Sequence, residues 1–493
     1  MPVGDNDHLP EVQQDDSVGT TGTDAVRRLF AGDHTLWRDD PTEITDRLGW
    51  LPVVNEVALA FHQIQERCDA IVQGIDHIVL MGMGGSSLFP EVLARTYPRQ
   101  DGYPELHVLD TTHPAAIARI GRQCPPERTL HVASSKSGTT VETRSHLEWA
   151  WERAGQGSQG RFAVITDPGS ELGELAKQRG FVQIFENRAD IGGRYSALSL
   201  FGIVPALLAG FDAESLVRGG LDGLQACGPD EAASSNPGLS LARRMSNGVA
   251  IGNDKLTFRL PDEVATFGLW LEQLVAESLG KEGTGLVPVV GERPGPPRVY
   301  GDDRTWVDLD VTAAPRSIGK AVVVAEVATA LTGAFIGVHP FDQPDVAAAK
   351  QATNLVLTNR DSSVPTTRLD DLLAKVRPGT HVAIQAFVDP GGPFAAPLED
   401  ARHALRDELS VAVTLGFGPR YLHSTGQLHK GGPADIVCIQ VFDDQVPDIP
   451  IPGRGLGFGE LLAAQAAGDL KVLTDRGRTA GRVDLQELLG RAS

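Results

Sequence analysis

The sequence predicts an α/β protein of two domains, each a mainly parallel sheet flanked by helices, with further helical segments at the two ends. Three observations carry this. From residue 76 onward, short β-branched runs of four to six residues alternate with helical stretches. Most runs end in Gly, Ser, Thr or Asp, as strands do when their carboxyl ends carry ligand loops. The pattern then starts again after a turn-rich stretch near residue 235, and 493 residues suffice for two cores.

The opening stretch MPVGDNDHLPEVQQDDSVGTTGTD is acidic and has no apolar core, so residues 1–28 are expected to form a disordered tail and not a targeting peptide. Residues 29–235 are assigned to N-terminal helices and the first sheet. Helices are expected over 24–75, with Asp40-Pro41-Thr42-Glu43 as a helix start. The strands of the first sheet lie in HIVLMGMGG, ELHVLDTT, TLHVASSKSG, RFAVITDPGS and FVQIFENRAD. The polar stretch 227–240 reads as the connection. Residues 236–450 form the second domain, with strands in KLTFRLP, GLVPVV, RTWVDLDV, THVAIQAF and DIVCIQVF and helices over 262–280 and 321–338. The latter helix is interrupted by Glu326 and two threonines and reads as buried, not membrane-spanning. Residues 451–493 form a C-terminal helical segment with room for one last strand.

The net charge of −20 argues against a nucleic-acid partner, and no segment calls for a membrane. Cys68, Cys124, Cys227 and Cys438 are widely spaced, which fits reduced thiols of a cytoplasmic protein better than a disulfide framework or a zinc motif. No metal site and no cofactor are expected.

Two loops point to a phosphorylated ligand. In SSKSGTT, Ser135, Ser137, Thr139 and Thr140 offer hydroxyls, Gly138 allows close backbone approach and Lys136 brings a cation, with a helix expected to start at 139–141. The same residues also read as an ordinary Ser/Thr turn with an N-cap. The loop GMGGSS, with Gly85 and Ser86, likewise follows a strand, and it matches neither the Rossmann fingerprint nor a Walker loop. Two such loops suggest one phosphate held between them.

Five motifs in order, GMGGSS, SSKSGTTVET, DIGGRYS, ESLGKEG and FDQPDVAAAK, resemble the glucose-6-phosphate isomerase family, which is built from two sugar-isomerase (SIS) domains. Together with DHTLWRDDPTEITDRLGWLPV and YLHSTGQLHKGGP they look most like the isomerase half of bifunctional transaldolase/glucose-6-phosphate isomerases, over roughly residues 28–490. The resemblance implies interconversion of D-glucose 6-phosphate and D-fructose 6-phosphate through a cis-enediolate, in a homodimer.

Glu277 stands late in its helix, about 20° around the wheel from Trp270 and about 60° from Leu274. At that edge of the apolar face, partial burial would raise its pKa to suit a base. An i,i+4 surface pair with Lys281 is the plainer reading of the same residues. The resemblance makes Glu277 the catalytic base, with Leu279 a departure from the family's asparagine. Arg194, which could otherwise pair with Asp190, becomes the enediolate stabiliser. Gln343 and Lys350, seven apart, match the family's substrate-contacting glutamine and ring-opening lysine. For the ring-opening histidine, His429 in STGQLHKGG is the choice and His339 the competitor. Two alternatives stand beside this reading: an enzyme that also takes mannose 6-phosphate, and a non-catalytic SIS-type sensor of sugar phosphates.

Overall fold

The computed structural model describes residues 22–492. The first sheet contains β1 (His77–Met81), β2 (Glu105–Leu109), β3 (Thr129–Ser134), β4 (Phe162–Thr166) and β5 (Gln183–Glu186), the five strands expected. All pair in parallel, in the order β2-β1-β3-β4-β5. Helices cover both faces, which is why these strands read as nearly continuous apolar runs. Ile78, Leu80, Leu130, Val132, Ala163 and Ile165 face one core, and Val79, Met81, Leu109, Ala133 and Val164 face another. The second of these cores is closed by Ile451, Phe458 and Leu461, so the C-terminal segment folds back onto the first sheet. The strand order reverses between β1 and β3, and ligand crevices open beyond the carboxyl ends of strands at such a switch point. The two hydroxyl-rich loops follow these two strands.

The second set of strands divides into two sheets. β6 (Lys255–Arg259), β7 (Val287–Val289) and β8 (Arg304–Asp308) form one, in the order β7-β6-β8. β9 (His381–Phe387), β10 (Ala412–Phe417), β11 (Ile436–Phe442) and β12 (Thr479–Arg482) form the other, in the order β10-β9-β11-β12. All pairs are again parallel. The two sheets meet where Val287 and Val289 pack with Ala412, Ala276 and Leu428. β10 is the strand that the sequence reading passed over.

The helix Pro315–Ile336 is long and apolar enough to cross a membrane by composition, yet 83% of its most apolar window is buried inside the protein. It lies against the helix Ala213–Ala226 at close range, because a Cβ on Gly219 would stand 2.0 Å from the Arg316 carbonyl oxygen. The reading of this helix as buried holds.

Three expectations need correction. Residues 22–28 do not belong to a tail: the helix Gly22–Phe30 buries Ala25, Val26 and Leu29 in the main core. The part of the proposed tail before residue 22 lies outside the described residues. Asp40-Pro41-Thr42-Glu43 starts no helix. Asp40 accepts from the Thr42 amide and hydroxyl (3.0 and 2.7 Å), Glu43 adopts a left-handed φ of 57°, and the helix begins at Trp50. Finally, the connection at 227–240 is shorter than expected, because Asn236 caps a helix that runs from Pro237 to Ala250.

Candidate active site

A cleft of about 440 Å³ opens at the switch point of the first sheet. The loops after β1 and β3 form its rim. Ser134 donates to the Ser86 carbonyl (2.9 Å), which ties the two loops together. Gly85 packs on the backbone of the segment carrying Arg194: a Cβ there would lie 1.9 Å from the Gly193 carbonyl oxygen. Gly85, Ser86, Ser135, Lys136, Ser137 and Thr140 all line the cleft, whereas Thr139 is exposed and outside its lining.

The loop after β3 is built to present donors. Thr140 is the N-cap of the helix Val141–Ala154, but its hydroxyl pairs with Ser135 (3.2 Å) and caps no helix amide. Thr140 thus leaves the first turn of that helix without a cap from its own side chain, the arrangement that suits an anion. Gly138 makes the turn with φ +73° and donates to the Ser135 hydroxyl (3.2 Å). The Lys136 ammonium rests on Asp167 (2.7 Å) and on the Ala189 carbonyl. Burial pushes the Asp167 carboxyl upward against the pull of Lys136.

The floor comes from the helix Phe267–Leu279, which is buried on nearly all sides. Glu277 is 6% exposed, and one carboxylate oxygen stands 3.2 Å from Nη1 of Arg194. Its other oxygen accepts from Gln273 (3.0 Å). Arg194 is 1% exposed and donates to Ser278 (2.9 Å), the Pro340 carbonyl (2.7 Å) and the Asp342 carbonyl (3.0 Å). The two plainer pairings are absent from this arrangement. Asp190 pairs with Arg188, and Lys281 turns away from Glu277. Lys281 donates to the His339 carbonyl (2.6 Å) and to the carbonyl and carboxylate of Asp342 (2.8 and 2.6 Å). Burial first, then the Arg194 charge, bring the Lys281 ammonium down to about 7. Arg194 and Lys281 together clamp residues 339–342, and the next residue, Gln343, lines the cleft.

The opposite wall carries a pair that the sequence reading missed. His423 lines the cleft, and its Nε2 lies 2.9 Å from the Glu142 carboxylate. Gln465 donates to the same carboxylate oxygen (2.6 Å). Burial acts to raise the Glu142 pKa, but the charge and hydrogen bond of His423 outweigh it and hold the carboxyl at about 2. His423 ends the short helical turn Arg420–His423 that follows β10. Arg420, bound to Asp110 (2.6 Å), locks this turn against the first sheet, and Gln273 holds the His423 carbonyl (2.9 Å).

Arg194 stands behind Glu277 and outside the cleft lining, and Lys350, His429 and His339 are not brought to that lining either. Lys350 is exposed on the helix Val346–Asn359. His429 is 2% exposed, bonds Gln385 (3.0 Å) and is held at about 3 by burial. His339 is tied to the Phe341 amide (3.1 Å) and faces the Thr42 carbonyl (3.3 Å). The signals for the missed pair were at hand, since Glu142 lies in SKSGTTVET and His423 six residues before His429 in YLHSTGQLH.

A parallel α/β sheet with an anion-ready loop at its switch point, a buried carboxylate–guanidinium floor and a carboxylate–imidazole wall define a protein of the sugar-isomerase fold class. The sequence profile of the Phosphoglucose isomerase family matches residues 38–285, and the chain belongs to that family. It is 28% identical over 412 residues to a glucose-6-phosphate isomerase of Rubrobacter xylanophilus, covering 66% of this chain and 91% of the relative. It is 34% identical over 212 residues to one of Thermosynechococcus vestitus, covering 42% of this chain but only 40% of that relative. The crystal structure of a glucose-6-phosphate isomerase from Chlamydia trachomatis superposes with a TM-score of 0.52 at 19% identity, over 62% of this chain and 74% of that one, a likeness of fold. Glu142, Arg194, Glu277 and Lys281 fall within the residues the family profile matches; Gln343 and His423 lie beyond them.

Proposed function

We propose that the protein is an aldose–ketose isomerase that interconverts D-glucose 6-phosphate and D-fructose 6-phosphate. One observation carries the reading: Glu277 lines the floor of a cleft whose rim is the hydroxyl-rich pair of loops, and Arg194 backs that carboxylate at 3.2 Å. The phosphoryl group binds the rim, at the uncapped amides of the helix Val141–Ala154 and the hydroxyls of Ser135, Ser137 and Thr140. Lys136 exchanges part of its contact with Asp167 for the phosphate. This fixed end positions the sugar, and positioning is what an intramolecular proton transfer needs.

His423, held by Glu142, faces the sugar ring and assists its opening by moving a proton at the ring oxygen. Glu277 takes the proton from C2 of the aldose and returns it to C1. The Arg194 guanidinium lies beside that carboxylate and stabilises the negative charge developing on the enediolate oxygens, a charge it meets without reorganising. Gln343 contacts the sugar hydroxyls. The enzyme acts as a homodimer in the cytoplasm.

A coupled assay with fructose 6-phosphate tests the reaction. Turnover is expected, with Glu277→Gln reduced below about a tenth of the wild-type rate while still binding substrate. Absence of turnover in the pure wild-type protein would overturn the reading, and turnover of mannose 6-phosphate in the same panel would widen it.

A further inference from the structure

The sheet that carries the cleft at one end holds a cluster of metal-ligating side chains toward the other. His77 opens β1, and Glu105 and His107 are the first and third residues of β2. The register pairs His77 with Glu105 and Val79 with His107, so the three side chains project from the same face of adjoining parallel strands. Cys124, at the C-cap of the helix Pro114–Gln123, covers that face and is a free, buried thiol.

Nδ1 of His77 lies 3.1 Å from Nε2 of His107. The donor atoms of His77, His107 and Cys124 all fall within 4.8 Å of one another. A Glu105 carboxylate oxygen is 3.7 Å from the same Nε2 of His107. A tetrahedral zinc ion bound through nitrogen, sulfur and oxygen at about 2.0–2.3 Å sets its ligand atoms about 3.3–3.6 Å apart. Two of the separations observed already lie close to that spacing, and the Glu105 side chain, about half exposed, is free to complete it.

We propose that His77, Glu105, His107 and Cys124 form a binding site for a single zinc-type divalent cation, distinct from the cleft. The two imidazoles, the thiolate and the carboxylate make a donor set that favours zinc over magnesium or calcium. Without the ion, the two imidazoles share one hydrogen between Nδ1 and Nε2. On binding, that hydrogen moves to the other nitrogen of its ring and both facing nitrogens coordinate. The Cys124 S–H proton leaves to solvent as the metal–sulfur bond forms, so one proton is released per ion. The bound ion joins β1, β2 and the end of the helix that follows β2, about 13 Å along β1 from the strand end that opens on the cleft.

The test is titration of the full-length, metal-stripped protein with Co²⁺, which is spectroscopically visible where zinc is silent. The expected result is one equivalent bound, with the intense visible bands of tetrahedral cobalt and a near-ultraviolet thiolate-to-cobalt band, displaced by Zn²⁺. Cys124→Ser should lose the near-ultraviolet band. Glu105→Gln, a change at a half-exposed side chain that folding tolerates, should keep that band and bind at least tenfold more weakly. Zn²⁺ should raise the thermal midpoint of the wild type more than that of His77→Asn. A weak octahedral spectrum, a thiolate band that survives Cys124→Ser, or no binding at 100 µM Co²⁺ would each overturn the proposal.

Discussion

Replacing His423 by alanine tests the wall of the cleft in a way that separates architecture from chemistry. In the wild type, Glu142 is buried and its carboxyl is held at about 2 against an ordinary 4.5, with His423 outweighing the burial that acts the other way. One pKa unit corresponds to about 1.4 kcal/mol, so 2.5 units amount to about 3 kcal/mol of stabilisation. The folded-state pKa is depressed, so this contribution is fully present above pH 4.5 and is lost as pH falls from about 4.5 to about 2. His423→Ala leaves the buried Glu142 carboxylate without its main partner and should therefore destabilise the protein by about 3–5 kcal/mol at pH 7, and by less near pH 3, where the carboxyl is largely protonated in the unfolded chain. Glu142→Gln combined with His423→Ala should recover part of the loss, because no uncompensated carboxylate remains buried. Urea unfolding followed by tryptophan fluorescence at the two pH values measures these differences. A His423→Ala variant within 0.5 kcal/mol of wild type at pH 7, or a difference that does not shrink on acidification, would refute the reasoning.

Three further outcomes follow from the same geometry. Lys136→Ala should raise KM for fructose 6-phosphate about tenfold or more with a smaller change in kcat, because the phosphate handle is a binding contact; steady-state kinetics will show whether kcat falls instead. Lys281, at about 7, satisfies three acceptors as an ammonium but has only two N–H groups once neutral. KM should therefore rise as pH passes about 7, and this step should be missing from the pH profile of Lys281→Met. Because this pKa is depressed, the unfolded state holds more protons between pH 7 and 10.5, so the lysine's effect on stability becomes more favourable as pH rises through that window. Gly85→Ala should cost about 2 kcal/mol or more and lower activity, since its methyl would meet the Gly193 carbonyl at 1.9 Å; a wild-type thermal midpoint would contradict the close packing of the two segments.

The first sheet was legible because its central strands β1, β3 and β4 are buried on both faces and bounded by Gly, Ser, Thr and Asp, leaving periodicity little ambiguity. Arg194 and Glu277, 83 residues apart, could be paired only through the resemblance, and the structure brings them to 3.2 Å. His423 was hidden for a topological reason. It hangs from the carboxyl end of β10, and the reading that passed over that strand had no way to see that the following turn reaches the first sheet. His429, six residues later, carries the more conspicuous Gly-Gln context but points into the core, where Gln385 holds it. Asp40 illustrates a local ambiguity, since an Asx turn and a helix N-cap use the same side-chain oxygen on the same nearby amides. Cys124 shows the limit of spacing rules. His77, His107 and Cys124 are separated by 29 and 16 intervening residues, and only the parallel register of β1 and β2 places them together.

The account turns on Glu277 as the group that carries hydrogen between the first two carbons of a sugar whose phosphate is gripped by the rim. A crystal structure of Glu277→Gln with fructose 6-phosphate bound measures this most directly. The account predicts the phosphoryl group against Ser135, Ser137 and Thr140, with C1 and C2 about 3–3.5 Å from the side chain at 277. A sugar phosphate seated in the cleft with those carbons turned away from position 277 would contradict it.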